Sequence, residues 1–431
     1  MLFRSSTILR GQYSQNTQIW GNALPSGGFE KFHSLGREDS TVAVWLQEAG
    51  YRTALIGKYL NGYPNGASPE YVPPGWDEWD SSPRGNAYGE FNYTLNENGK
   101  LVSYGNRPED YGTDVYSRKA QEFIRRSVDE GRPFFTYIAV YAPHEPATPA
   151  PRHADLFSDA RAPRSPSYNE ADVSDKPLHI ADRPSLTEQE MGDLDEAYRR
   201  RLRSLQAVDD MIEALVETLS DTGQLDNTYI FFTSDNGFHL GEHRLLQGKF
   251  TPYEEDIRVP LIVRGPGVPV GKTTDLLCGN LDFAPTWAEL AGAQAPEFVD
   301  GRSLVPLLSG KAPSTWRQAF LIQHGDPGRR PAAPLATPTQ QPRPGQPPRP
   351  RARRGMPDYQ GLRTRDYAYV EYMTGERELY NLLTDPYELD NIAGKAPQTL
   401  LAELSTRLDE LNRCSGATCR SSDEKPFANR R

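Results

Sequence analysis

An α/β fold is predicted by three short apolar runs that each open into polar residues at the carboxyl end. Thr53–Ile56 delivers Gly57 and Lys58, Phe134–Tyr141 (FFTYIAVY) delivers His144, and Thr228–Thr233 (TYIFFT) delivers Ser234, Asp235, Asn236 and Gly237. Runs this short, β-branched and aromatic suit a parallel sheet covered on both faces. In open sheets of that kind the carboxyl edge holds the ligand. With 431 residues, the chain is long enough for one large α/β domain and an appendage.

The elements follow in order. Asp39 or Ser40 is placed to cap an amphipathic helix with Val42, Trp45 and Leu46 on one face and Gly50 as its stop, leading into the strand at Thr53. After the FFTYIAVY strand, Pro143 and Pro146 forbid continuation and leave His144 at the edge. Tyr198, Leu202, Leu205, Val208, Ile212, Leu215 and Leu219 recur at steps of three or four, marking a long helix that leads through Asp221–Asp226 into TYIFFT. From 326 to 357 the composition turns to Pro-Arg repeats, with Arg343, Arg349, Arg351, Arg353 and Arg354, and a disordered insertion is expected. Without interleaved aromatics, a solvated linker is favoured there over a basic arm for sulfated glycans or nucleic acid. Tyr367–Tyr372 and Glu378–Leu382 flank a turn at Thr374–Gly375, and a helix with Leu401, Leu404, Leu408 and Leu411 on one face follows Pro397. The expected organisation is a catalytic domain over 1–325, the insertion over 326–357, and a small antiparallel-sheet-plus-helix subdomain over 358–431.

Thr233 to Gly267 concentrates reactive groups: Asp235, Asn236, His239, His243 and Lys249. Asp235 and Asn236 offer hard oxygen ligands, which suit Ca²⁺ or Mg²⁺ rather than Zn²⁺, and Lys249 offers a point charge to an anion. Singly, each residue has a plain explanation as a turn, a solvated lysine or a satisfied histidine. Their coincidence at three strand ends favours a site.

These motifs resemble the sulfatase family of the alkaline-phosphatase-like superfamily, and especially its glucosamine-6-sulfatase and arylsulfatase branch. The resemblance rests on the order Asp235, Asn236, Lys249, Tyr253, Glu254, Arg258, Pro260, on Gly57-Lys58 after GYRTALIG, on His144 in its Pro-His-x-Pro setting, and on ELYNLLTDPYELDNIA at 378–393. It implies a mixed, mostly parallel sheet flanked by helices and closed by a small second sheet. It further implies catalytic roles for Lys58, His144 and Lys249, substrate binding by His239, and a calcium ion on Asp235 and Asn236. Leu60 stands where many sulfatases carry a histidine, a feature shared with the glucosamine-6-sulfatase branch. Sulfatases also carry Cys-x-Pro-Ser-Arg ahead of a Leu-x-Gly, and alignment back from Leu9 and Gly11 puts Met1 at the cysteine, with Arg4 one residue out of register. That cysteine matures to formylglycine, so the resemblance implies that the chain as written lacks the nucleophile, and a truncated start is expected. A formylglycine-generating enzyme is an expected partner only of a full-length form.

The expected function is therefore sulfuric ester hydrolysis on a sulfated amino sugar or an aryl sulfate, with the chain as written expected to be inactive because the formylglycine cysteine is absent. A noncatalytic sulfated-glycan binder and a phosphoester or phosphonate hydrolase on the same scaffold remain the alternatives. A formal charge of −10 gives no global attraction to nucleic acid, and no apolar run approaches the roughly 18 residues of a membrane span. Cys278 stands alone, whereas Cys414 and Cys419 flank a four-residue loop that either closes as a disulfide or stays a free pair. An extracytoplasmic setting, secreted, periplasmic or lysosome-like, is favoured.

Overall fold

The computed structural model describes residues 4–83, 85–311, 313–325 and 355–428. Expectations resting on Met1, on the Arg4 side chain and on residues 326–354 lie outside the described residues.

Strands β1 (Arg52–Gly57), β2 (Glu78–Ser81), β3 (Tyr93–Glu97), β4 (Lys100–Tyr104) and β5 (Phe134–Ala139) form one sheet in the order β4-β3-β2-β1-β5. Parallel pairing joins β1 to β2 and to β5, while β3 and β4 add an antiparallel hairpin. The sheet is thus mixed. Helices cover both faces, as the alternation of apolar side chains requires. Leu55 packs with Phe29, Phe32 and Trp79, while Ala54 and Ile56 meet Tyr93, Tyr116 and Phe123. The helix Val42–Glu48 buries Val42, Trp45 and Leu46 as read, against Ala284 and Ala288. Its N-cap is Thr41, and Ser40 Oγ instead accepts the Trp45 indole N–H at 2.9 Å. The long helix spans Glu188–Asp221, starting ten residues before Tyr198 because Thr187 and Glu190 close a capping box ahead of the apolar stripe.

TYIFFT differs from its expectation. Ile230–Thr233 (β6) pairs antiparallel with Leu261–Arg264 (β7), not parallel, and is only half-buried, with Phe232 38% exposed. The chain turns through 234–260 and comes straight back along β6, and its apolar character is met on one side by Phe283 and Trp287. β5 is also half-buried throughout, where β1 buries five of its six residues. A cavity of about 1050 Å³ lies between β5 and β6, which accounts for both.

The C-terminal sheet is antiparallel, in the order β11-β10-β9-β8, from Ala319–His324 (β8), Tyr359–Thr364 (β9), Tyr367–Tyr372 (β10) and Arg377–Asn381 (β11). β8 comes from before the Pro-Arg segment and pairs with β9 across it, so the boundary read at 325 sets β8 apart from the sheet it joins. The helix Gln398–Arg413 lays Leu401, Leu404, Leu408 and Leu411 on this sheet, each 5% exposed or less. Burial of each such side chain contributes about 1.5–3 kcal/mol. Cys414 and Cys419 form a disulfide just beyond it. Among the described residues no helix is long and apolar enough to cross a membrane.

Candidate active site

Residue-for-residue pairing of β1 with β5, from Arg52 opposite Phe134 to Gly57 opposite Ala139, makes the chain after each strand leave the sheet at one level. Gly57 is required at that crossing. Its φ is 109°, and a Cβ there would fall 2.2 Å from the Ala139 carbonyl oxygen. The Lys58 amide then donates to that same oxygen at 2.7 Å, fixing Lys58 beside the end of β5. The Lys58 ammonium lies 5.1 Å from the Tyr88 ring centre, and the His144 ring lies 4.5 Å from the same ring.

β6 contributes the opposite wall. Ser234 Oγ donates to the Asn236 carbonyl, and Asn236 Nδ2 donates to the Gly237 carbonyl at 2.9 Å, which leaves Asn236 Oδ1 facing Lys249 Nζ at 3.1 Å. Gly237 and Phe238 donate backbone N–H groups to Asp256 and Glu255, and His239 and Gly248 bridge in both directions, at 2.9 and 3.1 Å. That narrow loop carries Lys249 back to Asn236. Lys58, Tyr88, His144, Arg201, Asp235, Asn236 and Lys249 accordingly line the same cavity. The His144 pKa is lowered by burial and by the positive charges of Lys249, Lys58 and Arg201, so the imidazole is neutral at pH 7.

The structure does not bring His239 to this cavity's lining. It is buried, and its Nδ1 faces both Asp256 carboxylate oxygens at 3.0 and 3.1 Å. Asp256 also accepts from the Thr251 N–H and hydroxyl, so this contact braces the loop that returns Lys249. His243 is likewise interior: Nδ1 meets Glu170 at 2.7 Å and the ring stacks on Tyr253 at 4.0 Å. His243, Glu255 and Glu388 also place ligand atoms within 4.8 Å of one another, the described trio of such residues with metal-ligand spacing. Asp235 is not part of it.

The donor chemistry at Asp235 and Asn236 fits a hard cation. The Asp235 carboxylate makes no hydrogen bond or ion pair among the described residues, whereas Asn236 Oδ1 accepts from Lys249 Nζ at 3.1 Å and would have to exchange that contact for a cation.

Two lining residues escape sequence reasoning, Tyr88 and Arg201. Tyr88 lies in a short turn with no periodicity. Arg201 sits in the run Arg199-Arg200-Arg201, which reads as a solvated face, yet it falls four residues before Leu205 and seven before Val208, on the apolar stripe. That position was the available signal.

A family model described as Sulfatase matches residues 5–293, two thirds of the chain. The chain belongs to the sulfatase family. It is 36% identical over 440 residues to an N-acetylglucosamine-6-sulfatase of Homo sapiens, covering 96% of this sulfatase and 77% of that protein. An arylsulfatase of Volvox carteri is 35% identical over 466 residues, covering 96% and 68%. Among solved structures, BT4656 in complex with its substrate D-glucosamine-2-N,6-O-disulfate is similar at 26% identity and a TM-score of 0.76, over 98% of this chain and 88% of that one. A phosphonate monoester hydrolase from Silicibacter pomeroyi, at 22% identity and a TM-score of 0.66 over 96% and 86%, shares the fold. The mixed sheet with its small antiparallel C-terminal sheet is therefore a sulfatase fold.

Proposed function

We propose that this sulfatase acts on the sulfate ester of an amino sugar, of the N-acetylglucosamine-6-sulfate type, at the carboxyl edge where β1, β5 and β6 converge. One observation carries the reading: Lys58, His144, Lys249 and the Asp235-Asn236 pair line a single cavity although they lie up to 191 positions apart in the chain. The sugar class is supported by the 36% identity to a protein named for that substrate.

In this reading Lys58 and Lys249 hold the nonbridging sulfate oxygens, and their charge counts for more as negative charge builds in the transition state. Asp235 and Asn236 would hold calcium, which when bound supplies further positive charge to those oxygens. Cleavage also needs a nucleophile on sulfur, which the family draws from the formylglycine of its Cys-x-Pro-Ser-Arg motif and which none of the residues named here supplies; with that group in place, His144 would give its proton to the departing sugar oxygen, a poor leaving group otherwise. In the free site burial, and after it the nearby cations, lower the His144 pKa; the arriving sulfate offsets the cations and favours the protonated imidazole. Hydrogen bonding of Lys249 to Asn236 and bracing of its loop by His239 and Asp256 hold the geometry before substrate arrives. The Cys414–Cys419 disulfide accords with an oxidising, extracytoplasmic setting.

Calorimetry tests the reading directly. N-acetylglucosamine-6-sulfate is expected to bind and unsulfated N-acetylglucosamine not, with Lys249→Ala and His144→Ala each weakening binding about tenfold or more. Equal binding of the unsulfated sugar, tighter binding of the 6-phosphate, or indifference to both substitutions would overturn it.

A further inference from the structure

His243 carries a ring nitrogen that the fold leaves unused. The side chain is fully buried and stacks on Tyr253, its Nδ1 meets Glu170 at 2.7 Å, and its Nε2 has no hydrogen-bond partner. A buried imidazole nitrogen left unpaired costs free energy unless a ligand takes it up. Glu255 and Glu388 stand beside it, with ligand atoms of the three residues all within 4.8 Å of one another. Because Glu170 holds Nδ1, the nitrogen open to those two acids is Nε2.

The neighbouring acids are satisfied by the protein itself. Glu378 receives the hydroxyls of Tyr253, Tyr372 and Tyr380 at 2.8, 2.6 and 2.7 Å, and Glu170 is paired with Lys176 at 3.1 Å. Glu388 is 1% exposed and Glu255 half-buried, and neither forms an ion pair among the described residues. Their contacts are neutral: Glu388 Oε2 accepts the Glu254 N–H at 2.8 Å, and Glu255 Oε1 accepts the Ser167 hydroxyl at 3.2 Å. Two carboxylates are therefore gathered in the interior without a counter-charge.

We propose that His243 Nε2, Glu255 and Glu388 hold a divalent transition-metal ion, zinc by preference, at a site separate from the Asp235–Asn236 pair. One imidazole with two carboxylates suits zinc, whereas calcium and magnesium favour oxygen donors alone. The two carboxylates balance the charge of the ion. Glu170 on Nδ1 completes a carboxylate–histidine–metal arrangement, which fixes the ring and directs Nε2 to the ion. Ligand atoms about 2.0–2.2 Å from one ion lie at most about 4.4 Å apart, so a closure of about half an ångström brings the three together. His243 and Glu255 each lie six positions from Lys249, and Glu388 follows β11. The ion thus ties the loop that returns Lys249 to the C-terminal sheet.

The test uses the tag-free 431-residue chain, stripped with a chelator and titrated with zinc chloride by calorimetry, with unfolding midpoints followed in parallel. One zinc ion per chain is expected to bind with micromolar affinity or tighter and to raise the midpoint, and calcium at the same concentration is not expected to compete. Glu388→Gln and Glu255→Gln should each weaken zinc binding about tenfold or more, whereas Asp235→Ala should leave it within about threefold. If both Gln variants fail to fold, Co²⁺ in the unsubstituted chain carries the test: the visible absorption of a four-coordinate ion, lost on adding zinc, is expected, and a six-coordinate spectrum or no uptake overturns the site. Absence of zinc binding would show that protons neutralise the two carboxylates. Binding abolished by Asp235→Ala, or untouched by Glu388→Gln, would put the ion elsewhere; each of these results overturns the proposal.

Discussion

Replacing Arg317 with Met should destabilise the protein by about 3–5 kcal/mol, the loss typical of removing one partner from a buried ion pair. Arg317 is fully buried, with Nη1 and Nη2 on the two Asp282 oxygens at 2.6 and 2.8 Å and Nε on Asp423 at 2.7 Å. Asp282 leads into the helix Phe283–Leu290, whose Phe283 and Trp287 pack on β5 and β6, and Asp423 lies in the C-terminal helix Ala417–Glu424. The arginine therefore ties the terminal segment to the helix beneath the site. The lower end of the range is expected, because Asp282 keeps the Gly279 and Arg302 N–H donors at 2.8 and 2.9 Å and Asp423 keeps the Arg302 guanidinium. Urea denaturation reads the effect: at a slope of about 3 kcal/mol per molar, 3 kcal/mol moves the midpoint down by about 1 M. The pH dependence adds a second check. Burial already holds the Asp423 carboxyl above its ordinary range despite Arg317 and Arg302. Without Arg317 it rises further, and a raised folded pKa gives stability that is present at low pH and lost as pH rises through it. The deficit of Arg317→Met should thus shrink as pH falls from 7 towards 5. A deficit under about 1 kcal/mol at pH 7, or one that does not shrink on acidification, would refute the reasoning.

Inorganic sulfate should bind more tightly as pH falls below about 6.5, because the bound anion favours protonated His144, and His144→Ala should flatten that profile in a competition titration. Glu90 is buried, accepts from the Thr113 N–H and hydroxyl, and has its pKa raised by burial to about 7. Its stabilising effect is present below pH 4.5 and lost as pH rises through 7, so Glu90→Gln should gain about 2–3 kcal/mol at pH 8.5 and little at pH 5, read from unfolding midpoints. Opening the Cys414–Cys419 link with Cys414→Ser and Cys419→Ser should cost about 2 kcal/mol, small because the closed loop is short, and a reductant should reproduce the shift in the unsubstituted protein.

The positions of Lys58, His144, Asp235 and Asn236 were legible because each depends on a local event, an apolar run stopped by Gly, Pro or Asx. Lys249 required the family's order of motifs, since only the His239–Gly248 bridge brings it back to Asn236. Strand direction was not legible for TYIFFT: its residue types record that Phe231 meets Trp287, and carry no record of β7 lying antiparallel beside it. The role of His239 was invisible for a similar reason, because Asp256, its partner at 3.0 Å, lies seventeen positions away among other acids of equal appearance. β8 was assigned to the large domain because its partner β9 lies beyond the 326–357 segment.

The cations of this protein divide by what faces them, and the division separates folding from function. Lys176, fully buried, meets Glu170 and Asp175 at 3.1 Å each, Arg126 lies on Glu78, and Arg317 lies between Asp282 and Asp423. Each of those charges is neutralised where it stands, and removing one strands a carboxylate. Lys176 and Arg317 lie over the rings of Tyr380 and Phe320 as well, but Lys58 and Arg201 have only the rings of Tyr88 and Phe238, with no ion pair among the described residues. An aromatic face stabilises a cation by roughly 0.5–2 kcal/mol without cancelling its charge. Such a group remains attractive to an incoming anion, and the protein forgoes the stability an ion pair would have supplied. Loss of Lys58 or Arg201 should therefore cost binding far more than folding, whereas loss of Lys176 or Arg317 should do the reverse. The sequence lists these residues as equivalent positive charges; only the neighbours brought by the fold tell them apart.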